Sequence, residues 1–158
     1  MVKRQKGNLF LLFLIWPFAA LIKAIKHYDK PFSKKIIMLF FAVYGFCFVI
    51  DPRMDSERYA NRLKNAYNEP FSSFYEQLYG LYETSVDFLQ PLITYVISRF
   101  TDSHHILFAV YALIFGFFFL KSIDFVVKKI QPSKSLVSKI YLVLLVGLIP
   151  IFNINGFR

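Results

Sequence analysis

Residues 105–127 read HILFAVYALIFGFFFLKSIDFVV and carry charged side chains only near their end, at Lys121 and Asp124. An α-helix of this length extends about 34 Å, enough to cross the roughly 30 Å hydrocarbon core of a bilayer. Lys121 and Asp124 are three residues apart, so we expect them to pair on one face of that helix. This stretch therefore predicts a transmembrane helix.

The rest of the chain has the composition of a membrane protein. Of its 158 residues, 56% are hydrophobic and 20% aromatic, whereas 18% are charged, below the roughly 25% of soluble domains. We therefore expect an all-α integral membrane protein with three to five membrane helices in a single transmembrane domain over residues 1–158. The predicted transmembrane helices are 36–50, 105–127 and 136–152, and 88–100, which contains Pro91, is an interfacial or short transmembrane helix.

Residues 8–25 contain Pro17 and have basic residues on both sides. They fit a re-entrant hairpin or a segment tilted in the membrane plane, and a first full crossing is the alternative. A signal peptide has the same basic start and apolar run. However, the apolar run ends at Ile22 and is followed immediately by Lys23 and Lys26, and no small-residue cleavage site precedes these lysines.

The formal net charge of +9 comes from basic residues that flank the apolar runs. Five lysines lie from Lys23 to Lys35 and five from Lys121 to Lys139, whereas seven of the ten acidic residues lie in 51–87. The positive-inside rule places both lysine-rich loops in the cytoplasm and residues 51–87 outside. Because the basic residues do not line one soluble face, we expect no nucleic-acid partner.

The external loop, 51–87, predicts two amphipathic helices that lie on the membrane. The first begins near Asp55, and the second follows Pro70, with Ser73 and Glu76 in capping-box spacing. The loop is rich in tyrosine. These rings either stack on sugars or form the aromatic belt common at membrane surfaces.

Three carboxylates near the start of this loop, Asp51, Asp55 and Glu57, are the most suggestive constellation in the chain. Such groups can act as a general base or hold a divalent metal. The alternative is structural, with Asp55 and Arg58 forming a surface ion pair and the other carboxylates solvating the loop. We expect no cofactor, and a metal remains open.

Four short motifs, spread over nearly the whole chain, resemble those of the EpsG-like exopolysaccharide polymerase family. The motifs are Asp55-x-x-Arg58-Tyr59, Asp87-Phe88-Leu89, Ser98-Arg99-Phe100-Thr101 and Asn153-Ile154-Asn155-Gly156-Phe157-Arg158. The resemblance implies a multi-pass protein of the bacterial inner membrane, related in arrangement to GT-C glycosyltransferases. It implies polymerisation of undecaprenyl-diphosphate-linked sugars at the outer face, together with other polysaccharide-assembly proteins, for capsule, exopolysaccharide or O-antigen.

The resemblance also assigns roles to residues of this chain. It implies Asp55, Asp51 and Asp87 as catalytic residues, with Asp55 or Asp51 as the base for the acceptor hydroxyl. The residues implied for binding the lipid diphosphate and sugar are Arg58, Tyr59, Arg99 and Arg158.

Members of that family are longer than this chain and continue beyond the Asn-Gly-x-Arg motif. We therefore expect the 158 residues to be the N-terminal part of a longer protein, without polymerase activity on their own. The competing hypothesis is a small non-enzymatic membrane protein, an accessory or scaffold subunit whose acidic loop binds a partner. A transporter fragment is disfavoured because the spans contain almost no ionisable residues.

Overall fold

The computed structural model describes residues 2–52, 54–72, 74–75 and 89–130, with the side chains of 2–6 and 126–130 outside the description. Within these ranges the protein is all-helical and has no strand, as the sequence predicts. The helices are α1 (Val2–Ile15), α2 (Pro17–Lys26), α3 (Pro31–Phe46), α4 (Asp55–Asn68), α5 (Leu89–Ser98) and α6 (His104–Ile130). The transmembrane helix predicted at 136–152 lies outside the described residues.

Helix α6 contains the stretch that dominates the sequence. Its segment His104–Phe125 is 22 residues long and predominantly apolar, and it is the one helix in the described ranges with the length and composition to cross a membrane. The predicted helix 105–127 lies inside α6, which adds one residue at its start and three at its end.

The first apolar run is divided into two helices at Trp16. Pro17 occupies the first position of α2, where its missing N–H costs no helical hydrogen bond. The 14 residues of α1 and the 10 of α2 extend about 21 Å and 15 Å, so neither helix alone spans a hydrocarbon core. Residues 8–25 therefore do not form one continuous helix.

Helix α3 begins five residues before the predicted start of the 36–50 segment and ends four residues before its end. Pro31 opens the helix because its fixed φ suits the first helical position. The helix stops at Phe46, where Gly45 weakens the last turn and Pro52, further on, prevents a restart in the same register. Residues 48–51 are consequently non-helical.

The chain divides into two compact units. The first contains, of the described residues, 2–44 and 111–130, and the second contains Gly45–Val110. In the first unit, α1, α2, α3 and α6 share one apolar core. Its buried members are Leu9, Phe13, Ala20, Ala24, Ile25, Tyr28, Ile36, Ile37, Phe41, Ala112, Leu120 and Ile123.

The ion pair of Asp124 corrects a prediction made from helical spacing. Its carboxylate pairs with Lys34 at the start of α3, at 2.6 Å, rather than with Lys121. The ammonium of Lys121 lies instead over the ring of Phe117, 5.6 Å from its centroid.

In the second unit, α4 packs against α5. Helix α4 buries Ser56, Ala60, Leu63 and Ala66, small residues apart from Leu63, which lets the two backbones approach closely. Leu63 and Ala66 of α4 are buried, whereas Tyr67 is exposed. Of the second predicted loop helix, residues 71, 72, 74 and 75 are described and are helical, and Ser73 and Glu76 lie outside the description.

Candidate functional site

The start of α4 organises the acidic part of the loop. Met54 precedes the helix in an extended conformation and provides no side-chain cap. Asp55 and Glu57 stand in the first turn, where negative charge complements the helix dipole. The hydroxyl of Ser56 accepts a hydrogen bond from the Asp51 N–H at 3.3 Å and lies 3.4 Å from the Asp51 carbonyl. Asp51 is therefore attached to the turn that carries Asp55.

Three of the predicted site residues come together in this turn. Asp55 Oδ1 lies 3.3 Å from an Arg58 Nη atom, with side chains 35% and 65% exposed. The Arg58 guanidinium lies 5.7 Å from the centroid of the Tyr59 ring. A carboxylate, a guanidinium and an aromatic face thus meet at a solvent-accessible position. These groups can accept a proton, bind an anion and contact a sugar ring, respectively.

Arg99 lies at the other end of α4 and caps it. Its guanidinium donates to the carbonyls of Ala66 and of Glu69, the latter at 2.9 Å. It also lies 4.4 Å from the centroid of the Tyr95 ring. The last carbonyls of a helix have no intrahelical donor, and a cation there also complements the dipole. The contacts of Arg99 in this structure are thus those of a helix-capping residue.

The predicted residues are therefore divided between the two ends of α4. Asp55 and Ala66 are eleven residues apart on one helix, a rise of about 16 Å. Arg58 lies beside Asp55, whereas the Arg99 guanidinium is held near Ala66. Asp87 and Arg158, the remaining predicted site residues, lie outside the described residues.

A polar chain between α4 and α5 was missed by the sequence reasoning. Arg62 donates to Gln90 Oε1 at 2.9 Å, and Gln90 Nε2 donates to Thr94 Oγ1 at 3.3 Å. Thr94 and Ser98 are almost fully buried. Gln90, Thr94 and Ser98 are spaced by four residues in an otherwise apolar helix, and that regular polar stripe is the signal that would have revealed them.

A second polar cluster, also missed, lies in the first unit. The single proton of the Tyr28 hydroxyl has two acceptors within reach, Asp124 Oδ1 at 2.8 Å and the Leu120 carbonyl at 3.0 Å. Lys34 contacts the same carboxylate and lies over the Tyr28 ring. Burial raises the pKa of Tyr28, and the hydrogen bond to Asp124 and its charge add to the effect. The phenol therefore stays protonated well above neutral pH.

A metal site is not formed among the described side chains, where no three histidine, cysteine or acidic groups come close enough to share an ion. His104 and His105 have ring centroids 4.0 Å apart, but His105 Nδ1 lies 2.8 Å from the Phe46 carbonyl at the end of α3. Comparisons of the chain with protein-family models, with curated proteins and with solved structures gave no significant match.

Proposed function

We propose that this chain belongs to the EpsG-like exopolysaccharide polymerase type, multi-pass glycosyltransferases of the bacterial inner membrane. Its substrate is an undecaprenyl-diphosphate-linked oligosaccharide, polymerised at the outer face for capsule, exopolysaccharide or O-antigen. The observation that carries the proposal is the partly exposed group of Asp55, Arg58 and Tyr59 at the start of α4.

The proposed membrane placement is supported by α6 and by the charge distribution. His104–Phe125 has the length and composition of a span, and lysines are concentrated on both sides of the acidic loop. The positive-inside rule then puts α4 outside, on the side where lipid-linked sugar units are joined. The lipid bilayer and other polysaccharide-assembly proteins are the expected partners.

In the proposed reaction the acceptor sugar hydroxyl attacks the anomeric carbon of the donor sugar. Its proton passes to the carboxylate of Asp55, while the bond from the anomeric carbon to the diphosphate oxygen breaks. The lipid diphosphate leaves with the bonding electron pair, and the Arg58 guanidinium neutralises the charge that develops. The Tyr59 ring supplies an apolar face for a sugar. Asp51, attached to the same turn through Ser56, is the alternative base.

Arg58 and Arg99 lie at different distances from Asp55, so we propose different roles for them. Arg58 lies close enough to Asp55 to contact the leaving group of a reaction that Asp55 assists. Arg99 is about 16 Å along α4 from that carboxylate, and its donors are engaged by the Ala66 and Glu69 carbonyls. We therefore assign charge stabilisation to Arg58 and helix capping to Arg99. Arg158 and Asp87 remain candidates on sequence grounds.

Complementation tests this proposal. The complete gene that encodes the chain is expressed in a strain lacking its own polysaccharide polymerase, and long glycan chains are measured by gel electrophoresis. We expect the native protein to make polymer, and Asp55→Asn and Arg58→Ala to make none at equal expression. Arg58→Lys tests whether positive charge at this position is sufficient or whether the planar guanidinium is needed, since a lysine keeps the charge but loses the guanidinium.

The matched control is Asp102→Asn, the same chemical change at an exposed carboxylate of the same unit, which we expect to polymerise normally. Normal polymer from Asp55→Asn, Asp51→Asn and the double variant together would show that these carboxylates are ordinary loop residues. A native protein that makes no polymer at full expression would remove the enzyme assignment itself.

A second candidate function, a non-enzymatic membrane scaffold, is favoured by one observation. Asp55 and Arg58 form an ion pair, and Arg99 contacts main-chain carbonyls, so these residues have structural partners within the chain. On this hypothesis the loop binds another protein of the assembly. Co-purification of one partner with the native chain, lost in Asp55→Asn, together with no polymer from the native chain in the strain that lacks a polymerase, would identify this function.

A further inference from the structure

The first two helices expose a large apolar surface. Seven bulky apolar side chains follow one another from α1 through the break into α2, and each is more than two-fifths exposed. They are Phe10, Leu11, Leu14, Ile15, Trp16, Phe18 and Ile22. Contiguous exposed patches of this many bulky apolar side chains are rare on soluble monomers. The surface therefore requires an apolar environment.

The opposite sides of the same helices are already occupied. Leu9 and Phe13 of α1 and Ala20, Ala24 and Ile25 of α2 are buried in the core of the first unit. The helices therefore present their other halves outward, and the exposed residues follow from the helical period. Within its own unit, the apolar surface is the outer side of α1 and α2.

The outer side of α2 changes from apolar to basic along its length. Phe18, Ile22 and Lys26 are spaced by four residues and therefore form one stripe. Lys23 is exposed beside it, and both lysines stand in the last turn of the helix. An apolar stripe that ends in lysines fits a bilayer boundary, where the apolar residues insert and the ammonium groups reach lipid phosphates.

The break between α1 and α2 also indicates shallow placement. Pro17 has no N–H, and the start of α2 has no side-chain cap. The Trp16 N–H and carbonyl are paired with Leu12 and Ala20, but an uncapped helix start places its first N–H groups at a cost in hydrocarbon that water and lipid oxygens remove at the headgroup level. Trp16, 62% exposed, stands at the break, and tryptophan favours the membrane interface.

We propose that α1 and α2 form an in-plane surface that docks on an anionic phospholipid bilayer, with Trp16 at the headgroup boundary and Lys23 and Lys26 binding lipid phosphates. The apolar side chains of α1 and α2 insert beside the headgroups, and the core residues hold the pair to the rest of the unit. This arrangement goes beyond the proposed function, since it concerns the lipid contacts of the first unit and not the sugar chemistry of α4.

Trp16 is the only tryptophan in the chain, so its fluorescence reports the position of the break. The full chain is reconstituted into phosphatidylcholine vesicles that contain phosphatidylglycerol, with bromine carried at different depths along the acyl chains. We expect quenching to be strongest with bromine close to the headgroup and weakest with bromine close to the terminal methyl. Strongest quenching by the deepest bromine places Trp16 in the bilayer interior and overturns the in-plane arrangement. Absence of quenching at every depth means that protein, and not lipid, covers the apolar surface of α1 and α2. This result also overturns the in-plane arrangement.

The lysines are tested by moving the bromine from phosphatidylcholine to phosphatidylglycerol at constant lipid composition. We expect stronger quenching by the brominated anionic lipid, because one lysine near an anionic surface increases the binding constant about fivefold. Added salt should reduce the difference. The Lys23→Gln/Lys26→Gln variant should lose the preference for the anionic lipid but keep Trp16 at the same depth in the bilayer. Lys64 is an exposed lysine of the second unit, so Lys64→Gln should keep both the lipid preference and the depth of Trp16.

Equal quenching by the two lipids in the native protein overturns the assignment of Lys23 and Lys26. These outcomes are independent of glycan synthesis, because complementation can succeed with Trp16 at any depth. A protein that polymerises glycan but has a deep Trp16 contradicts this inference alone. A protein with a shallow Trp16 and no polymerase activity contradicts the proposed function alone.

Discussion

The Lys34 ammonium lies 2.6 Å from Oδ1 and 2.8 Å from Oδ2 of Asp124, a residue 90 positions later in the chain. The two side chains are 33% and 28% exposed, so removal of one partner leaves a poorly solvated charge. We expect Lys34→Met to reduce the free energy of unfolding by about 1–2 kcal/mol, less than for a fully buried pair because solvent screens this one. Thermal unfolding of the detergent-solubilised protein measures the change.

Two further variants distinguish the contribution of the Lys34–Asp124 ion pair to stability from the effect of removing any lysine. Lys34→Met/Asp124→Leu removes both charges and should be more stable than Lys34→Met alone. Lys121→Met removes an exposed lysine of the same unit and should change stability by less than about 0.5 kcal/mol. Equal losses for Lys34→Met and Lys121→Met would contradict the importance of the pair.

Tyr28 makes the stability of the same cluster dependent on pH. Its pKa is raised above the ordinary value of about 10, first by burial and then by Asp124. A raised pKa means that the fold favours the protonated phenol, so this stabilisation is complete below about pH 10 and is lost as the pH rises further. We expect Tyr28→Phe to be less stable than the native protein by about 1–2 kcal/mol at neutral pH, with the difference shrinking above pH 10.

The measurement for Tyr28 is the difference in melting temperature between native protein and variant across a series of alkaline buffers. Tyr67→Phe serves as the control because Tyr67 is exposed, and its difference from the native protein should stay near zero throughout. A Tyr28→Phe difference that grows above pH 10 would contradict the direction of the pKa shift.

Local features of the fold could be predicted from the sequence, and the long-range pairing could not. The apolar run inside α6 lies within one helix, so residue type and spacing determine it. The starts of α2 at Pro17 and of α3 at Pro31 were not predicted, although a proline favours the first helical position. Helical spacing predicts Lys121 as the partner of Asp124. The packing of α3 against α6 instead brings Lys34 into contact with Asp124. Helical spacing contains no information about a partner 90 residues away.

The same limit divides the candidate site. Asp55, Arg58 and Tyr59 lie within five residues, so helical geometry alone brings them together. Arg99 finds its acceptors in the carbonyls of Ala66 and Glu69, and every residue type has a carbonyl. No side chain in the sequence therefore marks where Arg99 binds.

Arg99 and Arg58 should differ in what their removal changes. Arg99→Ala removes the donors that cap α4 and the contact with Tyr95, and we expect it to cost about 2–3 kcal/mol of stability. Arg58→Ala removes an exposed ion pair and should cost less than about 1 kcal/mol. Loss of helical circular dichroism on heating measures both, and a larger cost for Arg58→Ala contradicts the assigned roles.

Gly116 is required by the close approach of α6 to α3. A β-carbon there would lie 2.8 Å from Cδ2 and 3.0 Å from Cγ of Phe41, closer than carbon atoms pack. The two Phe41 atoms belong to the base of a ring that is buried in the core, so the ring cannot simply swing aside. We expect Gly116→Ala to cost about 1–3 kcal/mol through overpacking, measured by thermal unfolding.

The control for Gly116 is Gly7, where an added β-carbon meets no atom within 4 Å. Because alanine is the better helix former, Gly7→Ala should be neutral or stabilising by up to about 1 kcal/mol. The Gly116→Ala/Phe41→Leu double variant distinguishes crowding from a backbone effect. Replacing the ring by a smaller side chain relieves the contact, so the cost of adding the methyl group at Gly116 should be smaller in a Phe41→Leu background than in the native one. The same cost in both backgrounds would mean that Phe41 does not set the limit at this position.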